Sequence, residues 1–348
     1  MMEKGNKILI AGPCSAESEE QVMSTARELA GMGVDIFRAG VWKPRTRPGG
    51  FEGVGAEALG WLGRAQAETG VPAAVEVANA KHLEEALNAG VEIFWIGART
   101  AVNPFSVQEI ADKLSGLPED RKRRLTVMVK NPVNPDLELW IGGIDRIKGA
   151  GIGTVMAVHR GFSQYGNHIY RNDPKWAIPI ELKRRLPELR VICDPSHIGG
   201  KRDLIASLSQ EAFNMGFDGL MVEVHPSPGE ALSDAGQQIT PKEFGKILDE
   251  LKIPGENLES EILEKLRRDI DAVDEELIAL LARRMEISEE IGEYKRQRGM
   301  AVVQPERYRA LMEKRVEEGE TMGLRSAFIR RVLGMIHEES VKVQNVKG

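Results

Sequence analysis

Four side chains scattered along the chain form a set with metal-binding chemistry: Cys14, His197, Glu223 and Asp234. One thiol, one imidazole and two carboxylates suit a single borderline divalent ion such as Mn, Fe, Co or Zn, with room left for water or substrate. No short ligand spacing such as CxxC joins them. The same residues therefore also read as a free thiol beside a catalytic histidine, with the carboxylates serving only in salt bridges. Cys14 stands in "KILIAGPCSAES", just past an apolar run at a Gly-Pro turn, where a packing thiol would sit inside the run. Cys193, inside "RVICDPS", reads as ordinary core.

A second set is cationic: Arg38, Lys43, Arg45, Arg99, Lys130 and Arg160, each shortly after an apolar run. Brought together, such charges repel one another unless anions lie among them. Arginine suits bidentate recognition of phosphate or carboxylate, with lysine as a point charge. The two sets together imply metal-assisted chemistry on two small anionic substrates. A lysine Schiff-base aldolase without a metal is the competing chemistry.

Nearer the C-terminus Arg284 interrupts an apolar helical series formed by Leu263, Leu266, Ile270, Val273, Leu277, Leu280, Ile287, Ile291 and Tyr294. A charge in such a seam needs an anion or a path to solvent. Lys295 lies eleven residues on, roughly 16 Å along nearly the same helix face, so the two long side chains can close on one small dianion. Arg267, roughly 25 Å from Arg284 and about a quarter turn round, joins that site only from another chain.

Two kinds of element must position these groups. Through about residue 252, eight β-rich apolar runs alternate with amphipathic stretches such as "SEEQVMSTARELAGMG" and "KHLEEALNAG". Continuous apolar strands alternating with helices mean a parallel sheet covered on both faces. Eight repeats suit a (β/α)₈ barrel, an α/β fold whose active site lies at the C-terminal strand ends; an open doubly wound sheet is the alternative. Residues 253–260, "IPGENLES", read as a linker, and 261–348 as a small all-α domain, with further helices near 305–319 and 324–345.

At 348 residues two domains are the expectation. The net charge of −6 argues against nucleic acid as a partner. With two cysteines, no signal pattern and no long apolar run, a cytoplasmic protein without membrane contact is expected. "PEDRKRR" (118–124) reads as a solvated basic face, and "GAGIGT" (149–154) precedes a strand, which disqualifies it as a dinucleotide fingerprint.

The motifs "AGPCS", "RAGVWKPRTRP", "IGART", "VKNP", "HRGF", "DPSHIGG" and "VEVHP…SDAGQQ" resemble, in order and over the whole barrel, 3-deoxy-D-arabino-heptulosonate 7-phosphate (DAHP) synthase of the short type I beta kind. The resemblance implies one divalent metal held by Cys14, His197, Glu223 and Asp234. It implies phosphoenolpyruvate on Arg38, Lys43, Arg99, Lys130 and Arg160, and erythrose 4-phosphate at the loop Lys43-Pro44-Arg45-Thr46. Lys43 is then the candidate proton carrier near the aldehyde oxygen. Arg47 departs from the family's usual KPRTSP. The related 3-deoxy-octulosonate 8-phosphate synthase, which uses arabinose 5-phosphate, typically has KANRSS there.

The C-terminal segments "LRRDIDAVDEELIALLARRMEISEEIGEYK", "VVQPERY" and "HEESVKVQ" resemble the all-helical AroQ-class chorismate mutase, an intertwined dimer. That resemblance implies Arg267, Arg284, Lys295, Arg307, Ser340 and Gln344 as site residues for rearranging chorismate to prephenate without any cofactor, with Arg284, Lys295 and Gln344 catalytic. Gln304 and Tyr308 depart from the acidic residues common there. The expectation is a bifunctional shikimate-pathway enzyme, a homodimer or larger through its helical domain. That domain is also expected to sense prephenate, because few residues precede the first strand. A purely dimerising and sensing helical module is the rival.

Overall fold

The computed structural model describes residues 6–43, 49–166, 168–254 and 261–345. The chain divides into two compact units, Met1–Gly255 and Glu256–Gly348. Of the anticipated site residues, Pro44, Arg45 and Thr46 lie outside the described residues, as does most of the anticipated linker.

The first unit is a closed barrel of eight parallel strands in chain order: β1 (Ile8–Gly12), β2 (Ile36–Arg38), β3 (Ala73–Val77), β4 (Ile93–Ile96), β5 (Thr126–Lys130), β6 (Thr154–His159), β7 (Arg190–Cys193) and β8 (Gly219–Glu223). Closure is made by β1 on β8, in register from Ile8 opposite Gly219 to Gly12 opposite Glu223. This decides between barrel and open sheet, and it makes the ends of β1, β7 and β8 neighbours. The strand order could not be read from spacing.

Eight helices follow the strands in turn: α1 (Glu19–Ala30), α2 (Glu57–Thr69), α3 (Ala80–Asn88), α4 (Pro104–Ser115), α5 (Leu137–Gly149), α6 (Ala177–Arg185), α7 (Ile205–Asn214) and α8 (Pro241–Glu250). Their starts follow local chemistry. Ser18, Asn79, Asn103 and Asp136 cap α1, α3, α4 and α5 with side-chain oxygens, and Thr240 with Glu243 forms a capping box at α8.

Alternation along the strands makes two cores. Ile10, Trp95, Met128, Met156, Ile192 and Met221 fill the barrel interior. A larger layer, including Leu9, Phe37, Phe94, Val191, Cys193 and Leu220, packs between strands and helices. Cys193 is thus core, as its position in an apolar run implies. The basic run 118–124 is solvated as expected, apart from one residue: it forms a helical turn, Glu119–Arg124, in which Lys122 alone is buried and pairs with Glu119 at 2.5 Å.

Among the described residues the second unit has three helices: α9 (Glu261–Gln297), α10 (Pro305–Thr321) and α11 (Ser326–Asn345). α11 packs on both α9 and α10. The apolar series of α9 is mostly exposed within one chain: Val273 is 62%, Leu277 51% and Leu280 63% accessible. Periodicity identified the apolar face but not what covers it.

Candidate functional site

The Gly-Pro turn before Cys14 has a steric cause. Gly12 has φ +148°, and a Cβ there would lie 2.1 Å from the Arg38 carbonyl oxygen. Only glycine lets the end of β1 press against β2 in this way. The chain then turns and lays Cys14 across the barrel mouth, its N–H donating to Gln238 Oε1 at 2.9 Å. Ser15 Oγ meets Ser233 Oγ at 2.6 Å, which fastens this turn to the loop after β8.

One ligand atom each from Cys14, Glu223 and Asp234 lies within 4.8 Å of the others. Asp234 Oδ2 is 3.3 Å from Cys14 Sγ. Asp234 takes up φ +46°, a left-handed conformation that aspartate tolerates better than most residues. His197 stands beside this trio, outside its tightest grouping, with Nε2 3.7 Å from Glu223 Oε1. Its Nδ1 lies 2.8 Å from Asp194 Oδ2, and Asp194 Oδ1 accepts from the His197 backbone N–H at 3.0 Å. Asp194 thus orients the ring from behind, as carboxylates commonly do for metal-binding histidines.

The electrostatics bear on whether a cation fits. Burial, reinforced by the Glu223 carboxylate, pushes the Cys14 thiol up, and Lys43 opposes this only in part. Burial lowers His197, outweighing Asp194 and Glu223. Burial would raise Glu223 and Asp234, but it is outweighed by His197 and Arg38 for the first, and by Arg171 and Lys43 for the second. Both remain carboxylates. Glu223 Oε1 is buried without a hydrogen bond. An ionised group with an orphaned oxygen, beside a thiol that needs a positive charge to ionise, fits a divalent cation.

Beside the trio opens a cavity of about 450 Å³, lined by Lys43, Arg99, Lys130, Arg160 and Arg171 together with Glu76, His197 and Asp234. The size suits small ligands. Lys43 Nζ donates to Cys14 Sγ at 2.9 Å, which brings the cationic set into contact with the thiol. Lys130 Nζ is 2.7 Å from Asp194 Oδ2, both deeply buried. Arg160 donates to Asn172 Oδ1 at 2.7 Å, and burial lowers its guanidinium to about 10, which leaves it charged at neutral pH.

The anticipated anions are thus partly supplied by the protein itself. Arg38 is not among the lining residues. It is 1% exposed, with Nη2 3.3 Å from Glu223 Oε1 and its guanidinium 4.8 Å from the Trp95 ring centre. It braces the carboxylate from below. Asp194, Arg171, Gln237 and Glu76 were missed. Asp194 had a signal, an Asp-Pro pair three residues before His197 that caps the turn Pro195–Gly199. Arg171 had none.

Asp194→Ala should strand Lys130 in the interior and destabilise the barrel by about 3–5 kcal/mol. The double change Asp194→Leu with Lys130→Met should recover much of that stability. Urea unfolding followed by tryptophan fluorescence checks both expectations.

In the helical unit, α9 and α11 bring four anticipated residues together. Arg284 donates to Ser340 Oγ, and Lys295 Nζ lies 3.1 Å from Gln344 Oε1 and 2.6 Å from Val302 O. Ser340 and Gln344 are buried, one turn apart on one face of α11. Gly292 permits this closeness, since a Cβ there would stand 2.8 Å from Gln344 Cα. Arg284 is therefore a half-buried cation held by a hydroxyl, and burial lowers it. Arg267 and Arg307 do not join this group. Arg267 is exposed and pairs with Glu264 on its own helix, and Arg307 is exposed at the start of α10. Tyr308 stacks on His337, ring centres 4.1 Å apart.

A parallel eight-stranded barrel whose C-terminal rim gathers cations beside a thiol and carboxylates belongs to the class of barrel enzymes that act on small anionic molecules. Residues 1–257 match the DAHP synthetase I family, and the chain belongs to it; residues 266–345 match chorismate mutase type II. The chain is 32% identical over 244 residues to a phospho-2-dehydro-3-deoxyheptonate aldolase of Thermotoga maritima, covering 70% of this chain and 68% of that one.

A crystal structure of the DAHP synthase of Thermotoga maritima superposes with a TM-score of 0.61 at 29% identity, over 71% of this chain and 68% of the other. A 2-dehydro-3-deoxyphosphooctonate aldolase of Syntrophotalea carbinolica is 27% identical over 262 residues, 70% of this chain and 88% of its own. The helical segment is 38% identical over 86 residues to the T-protein of Enterobacter agglomerans, 25% of this chain and 23% of that protein. The chain therefore joins two enzyme families of the shikimate pathway, a transferase barrel and an isomerase helical segment. No helix among the described residues is long and apolar enough to cross a membrane.

Proposed function

We propose that the barrel, residues 1–252, condenses phosphoenolpyruvate with erythrose 4-phosphate and needs a divalent cation held by Cys14, His197, Glu223 and Asp234. The observation that carries this is the Cys14–Glu223–Asp234 trio beside the basic cavity. Bound there, the cation would polarise the aldehyde oxygen. Arg99, Lys130, Arg160 and Lys43 bind and orient the phosphates and carboxylate, offsetting their mutual repulsion. Lys43, whose Nζ is 2.9 Å from Cys14 Sγ, is the proposed proton carrier near the aldehyde oxygen.

C3 of phosphoenolpyruvate bonds to the aldehyde carbon, water adds at C2, and phosphate leaves with C–O cleavage. Arg38 acts from beneath, through Glu223. The four-carbon sugar is preferred on the strength of the KPRT loop. Phosphate release with erythrose 4-phosphate should far exceed that with arabinose 5-phosphate; equal rates would overturn the preference.

We propose further that residues 261–348 rearrange chorismate to prephenate, and that a second chain completes the site. Arg284 and Lys295, 3.1 Å from Gln344 in the latter case, are suited to the substrate's carboxylates and ether oxygen. The exposed apolar series of α9 supports a dimer, and the separation of Arg267 from Arg284 supports its delivery from the partner. Leu277→Asp should give a monomer by sedimentation, with mutase turnover reduced roughly a hundredfold and synthase turnover retained. A monomeric variant with full mutase activity would overturn the shared site. Because one chain carries both activities, prephenate bound by the helical unit is proposed to restrain the synthase. Synthase rates unchanged by prephenate would end that proposal.

A further inference from the structure

Gln237 has no part in the reaction as derived above, yet it is 1% exposed and lies against the thiol–carboxylate group. Its Oε1 accepts from Arg171 Nη1 at 2.5 Å, and its Nε2 donates to Glu223 Oε2 at 2.7 Å. A guanidinium can only donate, so the amide has one permitted orientation: oxygen towards Arg171, nitrogen towards Glu223. Arg171 Nη1 also donates to Asp234 Oδ1 at 3.1 Å. The arginine is itself tied to the loop after β7, its backbone N–H donating to Gly199 O at 3.2 Å. Its neighbour Asn172 donates to His197 O at 2.6 Å.

The consequence for the two carboxylates is the same. Glu223 Oε2 is taken by Gln237, whereas Oε1 has no hydrogen bond and lies 3.3 Å from Arg38 Nη2 and 3.7 Å from His197 Nε2. Asp234 Oδ1 is taken by Arg171, whereas Oδ2 faces Cys14 Sγ at 3.3 Å. One oxygen of each group is committed to a neutral amide or a guanidinium. The other is left for the cluster.

We infer that the Arg171–Gln237 relay is the positioning device that makes Glu223 and Asp234 one-oxygen ligands, through Oε1 and Oδ2 respectively. This rests on the metal-binding proposal above and goes further by assigning the ligating oxygens and the residues that select them. Single-oxygen ligation keeps the coordination number low. It favours transition ions over calcium, which takes six to eight oxygens.

The test uses metal-stripped full-length protein titrated with Co²⁺, reading the thiolate-to-cobalt absorption, the ligand-field bands and the affinity against a competing chelator. Gln237→Leu should keep the thiolate band, alter the ligand-field bands and bind Co²⁺ about ten- to a hundredfold more weakly. Gln237→Glu, which keeps the volume and the Arg171 contact but offers Glu223 no donor, should weaken binding as well and serves if the leucine variant folds poorly. Tryptophan fluorescence reports barrel folding in each, since all five tryptophans lie in the barrel. Wild-type Co²⁺ affinity and spectrum in both variants would overturn the relay while leaving the metal proposal standing. A wild-type protein that takes up Co²⁺ without any thiolate band would overturn the metal proposal and the relay with it.

Discussion

Cys14→Ser is expected to lower synthase turnover by about a thousandfold or more while mutase turnover stays at its wild-type level. The thiol is buried and its ordinary ionisation is pushed up by burial and by Glu223. Only a strongly positive neighbour makes it a thiolate, and Lys43 alone does not. If a cation held there stabilises the developing charge by several kcal/mol, its loss amounts to about three powers of ten in rate. Serine keeps the size of the residue and its backbone hydrogen bond to Gln238, so the barrel should fold as before. Parallel assays of phosphate release and chorismate consumption on the same preparation check this. A variant with tenfold or less loss would mean that the sulfur is not a ligand that matters.

The second large effect is expected at the other site. Arg284→Ala should reduce mutase kcat/KM by roughly a hundred- to a thousandfold, the scale of losing one preorganised charged donor in a site of this kind. Arg284 is the charge that breaks an otherwise apolar helical face, and it donates to Ser340 on α11. Removing it exposes no buried carboxylate, so α9 and α11 should stay packed. Arg284→Lys keeps the charge but not the two-pronged donor geometry and should recover only a small part of the activity. Synthase turnover should not change in either variant. Equal loss of both activities would point to misfolding, and near-normal mutase activity would remove Arg284 from the site.

These expectations show what one chain of residues makes legible. The eight strands were readable because parallel strands are buried on both faces and so appear as unbroken apolar runs. Cys14, His197 and Glu223 stood out because each sits at or shortly beyond such a run, where a barrel displays its chemistry, whereas Asp234 lies further out in the loop after β8. Strand-end position does not say which way a side chain points. Arg38 therefore read as a cavity residue, yet it is buried beneath Glu223 and over Trp95. Arg171 lies far from any strand end, between Tyr170 and Asn172, and only the folded loops bring it to Asp234.

The helical unit divides along the same line. A lone charge in an apolar seam identified Arg284, and side chains four apart placed Ser340 and Gln344 on one face. What covers the seam of Val273, Leu277 and Leu280, exposed among the described residues, was not legible, because periodicity describes a face and not its occupant.

A cation held beside the basic cavity by the Cys14 thiolate and its neighbours is central to the proposed synthase reaction. The most direct test is phosphate release from phosphoenolpyruvate and erythrose 4-phosphate by protein stripped with a chelator, then supplied with Mn²⁺, Co²⁺ or Zn²⁺ in turn. Activity should vanish on stripping and return with at least one ion, while chorismate consumption is unaffected throughout. Full synthase turnover in demonstrably metal-free protein would contradict the account.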